Sequence, residues 1–228
     1  MTALVDIKEE SHYTLITMDD GKANALGFDM LAQLAAALDT AERAAKVLII
    51  CGRPGKFSAG FDLSVMGQGG AGMTRLLRCG AVTSQRLLAF PTPVILAVSG
   101  HALAMGALLL LSADYRIGIH GTYKLGLNEV AIGMTLPYFA VELARERLTK
   151  THLGPAVGLA RVYDAAGAVE AGYLDEAVSE EDLLPRAIAM AQQFSTLNME
   201  AHRQTKVRVR EGLTTALAAA IDKELGTS

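Results

Sequence analysis

Short apolar runs alternate with amphipathic segments over the first half of the chain. Runs of four to six mostly apolar residues are typical of buried strands, whereas apolar residues spaced three and four apart are typical of helices with one buried face. Strands are predicted over 13–18, 47–50, 94–98 and 115–119. Helices are predicted over 28–44, 74–90 and 104–113, and Pro91 and Pro93 end the second of them. This alternation predicts an α/β domain.

The pattern changes after Pro137. Helical spacing then dominates, and a short strand is possible only near Ala177-Val178. Helices are predicted over 138–148, 155–163, 169–172, 183–196 and 200–225. We therefore divide the chain into a strand-rich core, residues 1–137, and a helical region, residues 138–228. The helical region is expected to cover the sheet or to reach a neighbouring subunit.

The composition is that of an ordinary globular protein. Hydrophobic residues make up 51% of the 228 residues, charged residues make up 20%, and the net charge is −3. Because there is no positive surplus, nucleic acid is not expected as the main partner. Cys51 and Cys79 are too few for a disulfide framework, and the histidines do not combine with them at zinc-ligand spacing. A reduced, metal-free protein is predicted.

No segment has the pattern of a secretory signal or of a membrane helix. The first ten residues contain neither a basic start nor an apolar stretch. The apolar run over 94–111 is interrupted by Ser99, Gly100 and His101, whereas a membrane span needs about 20 predominantly apolar residues. We therefore expect a buried strand followed by a buried helix, and a cytoplasmic protein without membrane contact.

Glu129 is the first candidate for chemistry. It stands in the mostly apolar segment 121–137, with no other acid and no base close to it except Lys124. A carboxylate in apolar surroundings has a raised pKa, so it can take up and return a proton near neutral pH. The alternative is ordinary: Asn128 begins a helix, and Glu129 is partly solvated beside it.

Two segments rich in small residues are candidates for backbone N–H donors. In the first, residues 57–63, Gly60 brings the backbone close to its surroundings, so the N–H of Phe61 could point into a cavity. In the second, residues 99–106, a buried helix begins with N–H groups that lack intrahelical partners, and Met105 N–H is the candidate donor. The alternatives are a plain turn and a helix start selected for tight packing.

Other polar residues have ordinary interpretations that compete with functional ones. His101 is expected to be a core residue rather than a base, and Asp62 a turn or cap residue rather than a second acid. The basic residues over 202–210 are expected to form a solvated helix face, with a contact to the phosphates of a large anionic ligand as the alternative.

Taken together, these segments resemble the crotonase superfamily, the enoyl-CoA hydratase/isomerase family. The resemblance rests on Phe-Ser-Ala-Gly-Phe-Asp-Leu (57–63), Val-Ser-Gly-His-Ala-Leu-Ala-Met-Gly-Ala (98–107) and Leu-Gly-Leu-Asn-Glu-Val-Ala-Ile-Gly (125–133), in this order and spacing. Gly-Lys-Ala-Asn-Ala-Leu (21–26) and Ala-Val-Glu-Ala-Gly-Tyr-Leu-Asp-Glu-Ala-Val (168–178) also match family patterns. The resemblance therefore covers nearly the whole chain.

The resemblance implies a fold, a substrate class and a set of site residues. The fold would be a spiral of ββα units with a helical C-terminal region used in trimer formation, as a homotrimer or a dimer of trimers. The substrate would be an acyl-CoA thioester, with coenzyme A as part of the substrate and no separate cofactor. The N–H groups of Phe61 and Met105 would hold the thioester oxygen, and Glu129 would be the catalytic carboxylate. The implied substrate-binding residues are Ala23, Ala25, Leu26, Ala59, Gly60, Asp62, Leu63, Leu108 and Asn128.

Departures from the family pattern indicate which reaction to expect. Hydratases of the family use two glutamates, and Leu108 stands where the first would be. Dienoyl-CoA isomerases and aryl-CoA dehalogenases place an aspartate six to eight residues after the second glutamate, where this chain has Thr135, Leu136 and Pro137. Ala104 and Met105 also stand where glycines are usual. The phrase Gly-Leu-Asn-Glu is similar to Δ3,Δ2-enoyl-CoA isomerases that rely on one glutamate.

Three hypotheses follow. The first is an enoyl-CoA isomerase in which Glu129 carries a proton from C2 to C4 of a 3-enoyl-CoA. The second is an enoyl-CoA hydratase that recruits another acid, with Asp62 and Glu142 as candidates. The third is a catalytically silent acyl-CoA-binding subunit.

Overall fold

The computed structural model describes residues 2–226 and contains mostly parallel strands that alternate with helices. The strands are β1 (Val5–Glu9), β2 (Tyr13–Met18), β3 (Ala25–Leu26), β4 (Val47–Cys51), β5 (Gly55–Ser58), β6 (Gly60–Phe61), β7 (Val94–Val98), β8 (Gly100–Leu103), β9 (Tyr115–Ile119), β10 (Leu125–Gly126) and β11 (Glu176–Val178). The helices are α1 (Phe28–Ala44), α2 (Leu63–Met66), α3 (Gly70–Ala89), α4 (Met105–Leu111), α5 (Tyr138–Arg147), α6 (Lys150–Gly158), α7 (Ala165–Ala171), α8 (Leu183–Phe194) and α9 (Met199–Leu225), with a 3-10 turn at Val130–Ile132.

The strands form one large and two small sheets. The large sheet has the order β1-β2-β4-β7-β9-β11, and only the β1–β2 pair is antiparallel. The small sheets are β10-β8-β5 and the pair β3–β6, all parallel. Each turn of the chain thus adds a strand to the large sheet, continues into a small sheet and ends in a helix. This repetition confirms the predicted α/β class and the spiral of ββα units.

The central strands are buried on both faces, which explains their continuous apolar sequences. In β7, Val94, Leu96 and Val98 face the main core, whereas Ile95 and Ala97 face a second, smaller core. Helix α8 closes this second core with its buried residues Leu183, Ala187, Met190 and Ala191. The sequence prediction that a C-terminal helix covers the sheet is therefore confirmed for α8.

The predicted element bounds fail where tertiary contacts decide the local structure. The helix predicted over 155–163 lies instead at Lys150–Gly158, since Ala160 adopts a left-handed backbone (φ 50°) and Tyr163 then pairs with Leu125 in a β-bridge. Helix α3 begins at Gly70 rather than at Thr74. The strand considered near Ala177-Val178 is present as β11, which extends the large sheet beside β9.

Helix α9 folds back over its own chain, where it packs against α3 and α5. Two basic residues hold it there. Lys206 and Arg210 are 7% and 8% exposed, and both bind the carboxylate of Asp114, with Nζ 2.6 Å from Oδ2 and Nη2 2.8 Å from Oδ1. The prediction of a solvated basic face is therefore wrong for these two residues, because their charges anchor α9 to the end of the sheet. The division at residue 137 and a part in trimer formation stay predictions.

Helix α4 lies so close to β5 that only glycine fits at its second position. A methyl group on Gly106 would come within 2.5 Å of the Ser58 carbonyl oxygen, a distance that side-chain carbons essentially never reach. The contact holds the start of α4 against the end of β5. The positions of the backbone groups at both ends therefore depend on it.

We predict that Gly106→Ala lowers the free energy of unfolding by at least about 2 kcal/mol, because overpacking against backbone cannot relax through a side chain. The matched control is Gly212→Ala in the middle of α9, where an added methyl group has no neighbour within 4 Å. The control should gain up to about 1 kcal/mol from helix propensity. Urea denaturation of both variants checks this, and a Gly106→Ala variant as stable as the wild type would contradict it.

Candidate active site

A cavity of about 440 Å³ opens at the carboxyl ends of the small-sheet strands. Strands β5, β8 and β10 are parallel neighbours, so the segments that follow them emerge at the same edge. Those segments carry Phe61, Met105 and Glu129. The cavity is lined by Ala59, Phe61, Leu63, Met66, Met73, Leu77, Ala104, Leu108, Asn128, Glu129, Ile132, Met134, Thr135, Pro137, Phe139 and Glu224.

A tight turn fixes Glu129 in the cavity wall. The residue directly precedes the 3-10 turn, and its carbonyl oxygen accepts the N–H groups of Ile132 at 3.1 Å and Met134 at 2.9 Å. Gly133 closes the turn with φ 79°, a conformation that favours glycine. The Glu129 side chain is thereby held inward, and only 7% of the residue is exposed.

The carboxyl group of Glu129 is poorly solvated and unpaired. Its Oε2 atom is buried without a hydrogen-bond partner among the described residues. No Lys, Arg or His of those residues forms an ion pair with Glu129 within 4 Å. Burial raises the pKa of Glu129 to about 7, and only the residue's own backbone N–H opposes the shift. The sequence alternative of a partly solvated Glu129 is therefore wrong. The group is suited to accept and return a proton near neutral pH.

The backbone alternation in β6 directs the N–H of Phe61 away from its partner strand. The N–H of Asp62 donates to Leu26 in β3 at 3.4 Å, and the N–H of Gly60 donates to Ser58 Oγ at 3.1 Å. Successive N–H groups of a strand point in opposite directions. The Phe61 N–H therefore points to the side opposite β3, and Phe61 is one of the residues that line the cavity.

The second candidate donor lies beside the first. Met105 is the first residue of α4, so its N–H has no partner within the helix. A methyl group on Gly60 would lie 2.7 Å from Ala104 Cβ and 3.2 Å from Met105 N, so the two backbones are in contact. Ala104 has φ 50° and ψ −124°, a sparsely populated backbone conformation that costs about 1–3 kcal/mol for a residue with a side chain. The Met105 side chain is fully buried and packs in the core, as the sequence interpretation expected.

No carboxylate stands at the positions where the resemblance would place a second acid. Leu108 lies in α4, one turn after the Met105 N–H, and lines the cavity. Thr135 and Pro137 line it as well, whereas Leu136 is buried. A carboxylate at 108, 135 or 137 would therefore have reached the cavity.

The residues predicted to bind substrate lie around the β3–β6 pair. Ala59, Leu63, Leu108 and Asn128 line the cavity itself, and the Asn128 Oδ1 atom is buried without a partner among the described residues. Ala25 and Asp62 line a neighbouring cavity of about 600 Å³. Ala23, Leu26 and Gly60 contribute backbone between the two: the Ala23 carbonyl accepts the N–H of Ala59, and Leu26 pairs with Phe61.

The other polar candidates lie away from this wall. His101 is only partly buried and its Nδ1 accepts the Lys124 N–H at 3.0 Å, so the prediction of a core residue is wrong. Asp62 caps α2, as predicted, by accepting the N–H of Ser64 at 2.8 Å. Glu142 pairs with Arg145 at 2.5 Å on the outer side of α5. None of the three lines the cavity that holds Glu129.

The sequence reasoning missed Glu224 near the end of α9. This residue lines the cavity, and its Oε2 accepts the N–H of Tyr138, at the start of α5, at 2.8 Å. The Lys223 ammonium lies 3.9 Å from the centre of the Tyr138 ring and strengthens the same contact. The helical spacing of Met73 and Leu77 in α3 could have indicated that both line the cavity. No local sequence pattern could have placed Glu224 near Glu129.

Within residues 2–226, no three His, Cys, Asp or Glu side chains are grouped so that they could hold a metal ion. No helix of the same range combines the length and the apolar character needed to cross a bilayer.

The family model for enoyl-CoA hydratase/isomerase matches residues 8–227. An apo enoyl-CoA isomerase from Mtb, of known structure, is 41% identical, with all of both chains covered and a TM-score of 0.95.

Curated relatives carry both activity names. Human mitochondrial enoyl-CoA delta isomerase 1 is 27% identical over 89% of this chain and 68% of its own length. The crotonyl-CoA hydratase of Syntrophomonas wolfei is 31% identical over 96% of this chain and 85% of its own length. The chain thus belongs to the enoyl-CoA hydratase/isomerase family and has the crotonase fold of that family.

Proposed function

We propose that the protein is a Δ3,Δ2-enoyl-CoA isomerase in which Glu129 is the only acid–base group. The observation that carries this proposal is a single buried carboxyl group with a pKa of about 7 in a mostly apolar cavity. Isomerisation requires one group that removes a proton and returns it, whereas hydration also requires a positioned water and a second proton carrier. Leu108 lacks any group that could position such a water.

The proton transfer is balanced within the substrate. The Glu129 carboxylate removes a proton from C2 of a 3-enoyl-CoA, and the electron pair of that C–H bond forms a dienolate that extends to the thioester oxygen. The same carboxyl group then protonates C4. The C2–C3 double bond forms while the C3–C4 double bond is lost, and Glu129 is again ionised.

The two backbone N–H groups would stabilise the dienolate oxygen. Those of Phe61 and Met105 lie on adjoining backbone, next to the Gly60–Ala104 contact. Preorganised donors of this kind act on charge that develops during the reaction, and one of them typically contributes about 10²–10³ in rate. They also lower the pKa at C2, which brings it closer to that of Glu129.

The names of the relatives support the substrate class more strongly than the reaction. The Mtb isomerase is 41% identical to this chain over the full length of both. The hydratase name of the Syntrophomonas relative keeps the alternative open. We further propose an acyl-CoA thioester as the substrate, no cofactor beyond its coenzyme A, assembly as a homotrimer or a dimer of trimers, and a cytoplasmic location.

One observation favours hydration as a second candidate. Glu224, near the C-terminal end of the chain, gives the cavity a second carboxylate. It is exposed and already accepts the Tyr138 N–H, so it lies in a wetter place than Glu129. A hydratase built on this pair would use Glu224 to hold the attacking water.

The isomerase proposal is tested by following conjugation of trans-3-hexenoyl-CoA. We expect Glu129→Gln to lower kcat by at least about 10²–10⁴, the usual contribution of a general base. For the wild type, kcat/KM should fall as pH drops below about 7, because protonation removes the base. The control is Glu142→Gln, which alters a carboxylate outside the cavity and should leave both results unchanged. A fully active Glu129→Gln variant would contradict the proposal.

Hydration is tested with crotonyl-CoA and Glu224→Gln. We expect the wild type to hydrate crotonyl-CoA at less than about one hundredth of its isomerisation rate, because a missing acid–base group costs at least about 10². Glu224→Gln should keep the isomerase activity. Fast hydration that disappears in both Glu129→Gln and Glu224→Gln would instead establish the two-carboxylate reaction.

The burial of Glu129 should also appear in stability. Its pKa is raised from 4.5 to about 7 on folding, so the protonated form is favoured in the folded state. The Glu129 penalty is therefore absent below pH 4.5, and it grows to about 3 kcal/mol of lost stability as pH rises from 4.5 to 7. Glu129→Gln lacks this penalty, so its stability advantage over the wild type should grow between pH 4.5 and 7. Urea titrations across this range check the sign, and an advantage that shrinks would refute it.

A further inference from the structure

A second cavity, of about 470 Å³, lies at the opposite edge of the large sheet. It borders Asp114, which directly precedes β9, and the first turns of α9. The active-site cavity lies instead where the strands end. The second cavity is therefore separate from the active site, and the proposed chemistry uses none of the residues that line it. Those residues are Asp114, Arg147, Leu197, Asn198, Ala201, His202, Thr205, Lys206, Val209 and Arg210.

Positive charge exceeds negative charge in this cavity. Asp114 is the one carboxylate among the described residues that line it, and three cations line it as well: Arg147, Lys206 and Arg210. Asp114 already binds Lys206 and Arg210 and also accepts the N–H of Val94 at 2.8 Å. One anion thus faces three cations, which leaves an excess of two positive charges.

The nearest additional ion pair does not change this balance. Arg116 lies next to Arg147 and binds both carboxylate oxygens of Asp175, at 2.7 Å and 2.8 Å. That pair is neutral by itself. Helix ends also cancel, because Arg147 ends α5 while α9 begins beside the cavity, and each end contributes a partial charge of about 0.5 with opposite sign.

Arg147 is the least satisfied of these cations. Its Nη2 donates to the Ala113 carbonyl at 3.3 Å, and its Nε atom is buried without a hydrogen-bond partner among the described residues. Burial, followed by the neighbouring Arg116 and Arg210, lowers the pKa of Arg147 to about 10. The Nε2 atom of His202, across the same cavity, is also buried without a partner. A buried cation without enough hydrogen-bond acceptors destabilises the folded protein unless an anion pairs with it.

We propose that this cavity binds a small oxyanion, a phosphate or a carboxylate, through Arg147 with Lys206 and Arg210 behind it. A guanidinium group presents a planar fork of donors that fits two oxygens of such an anion at once. Lys206 and Arg210 are fixed by Asp114 and by the carbonyls of Thr92 and Leu88, so they supply charge without having to be ordered. Thr205 and Asn198 add polar side chains at the rim.

The oxyanion could come from solution or from a carboxylate side chain of a second copy of this chain. Both sources would satisfy Arg147 in the same way. The two sources differ in what happens when Arg147 is replaced. If the anion is free, only stability changes; if it is a carboxylate of a second copy, assembly changes as well.

The experiment titrates inorganic phosphate into the full-length protein, with sodium chloride at matched ionic strength as the reference. We expect a saturable rise in Tm of about 3–5 °C at ten times the Kd. Arg147→Gln should abolish this rise. The matched control is Arg145→Gln on the same helix, where the side chain is exposed and outside the cavity, and it should respond like the wild type.

Sedimentation of the same variants distinguishes the two sources. Loss of the phosphate response in Arg147→Gln with unchanged assembly identifies a free anion. Smaller assemblies in Arg147→Gln, but not in Arg145→Gln, identify a carboxylate of a second copy. If Arg147→Gln fails to fold, Arg147→Lys replaces it and should weaken the response, because it keeps the charge and loses the fork. An equal phosphate response in wild type and variant, or no response together with unchanged assembly, would overturn the proposal.

Discussion

The site depends on the contact between two backbone segments at Gly60 and Ala104. These segments belong to different turns of the spiral, and they meet because β5 and β8 are parallel neighbours whose ends lie at the same edge. No side chain larger than hydrogen fits at Gly60, where a methyl group would lie 2.7 Å from Ala104 Cβ. Ala104 itself accepts a strained backbone to begin α4 there. The proximity of the Phe61 and Met105 N–H groups, and therefore the proposed oxyanion stabilisation, follows from this contact.

The same edge of the sheet holds Glu129 under a different constraint. The carboxyl group lies in an apolar wall without a counter-charge, so burial raises its pKa and the folded protein loses stability near neutral pH. The turn behind it, closed by Gly133, keeps the side chain inward despite that cost. Stability and the proposed chemistry therefore oppose each other at one residue, which is common where a group must exchange protons. Leu108 and Phe139 maintain the apolar wall.

The sequence predicted those parts of the molecule that depend on local patterns. The helix at Phe28–Ala44 and the strands at Val94–Val98 and Tyr115–Ile119 have the predicted bounds, because their periodicity agrees with their burial. The backbone turns at Phe61 and Met105 could be proposed because small residues mark close approaches. Glu224 could not be predicted, since only the return of α9 brings it to the cavity. The burial of Lys206 and Arg210 depends likewise on Asp114, which lies 92 residues before Lys206 in the chain.

Transfer of an isotope label shows whether one carboxyl group carries the proton from C2 to C4. The substrate would be 3-hexenoyl-CoA deuterated at C2, converted in ordinary water under single-turnover conditions, with deuterium at C4 of the product measured by mass spectrometry and NMR. If Glu129 acts alone in a poorly solvated cavity, a measurable fraction of the product carries at C4 the deuterium that left C2. Product with only solvent hydrogen at C4 would contradict direct transfer by a poorly solvated Glu129, because the deuteron would then have exchanged with water or passed through a second carrier.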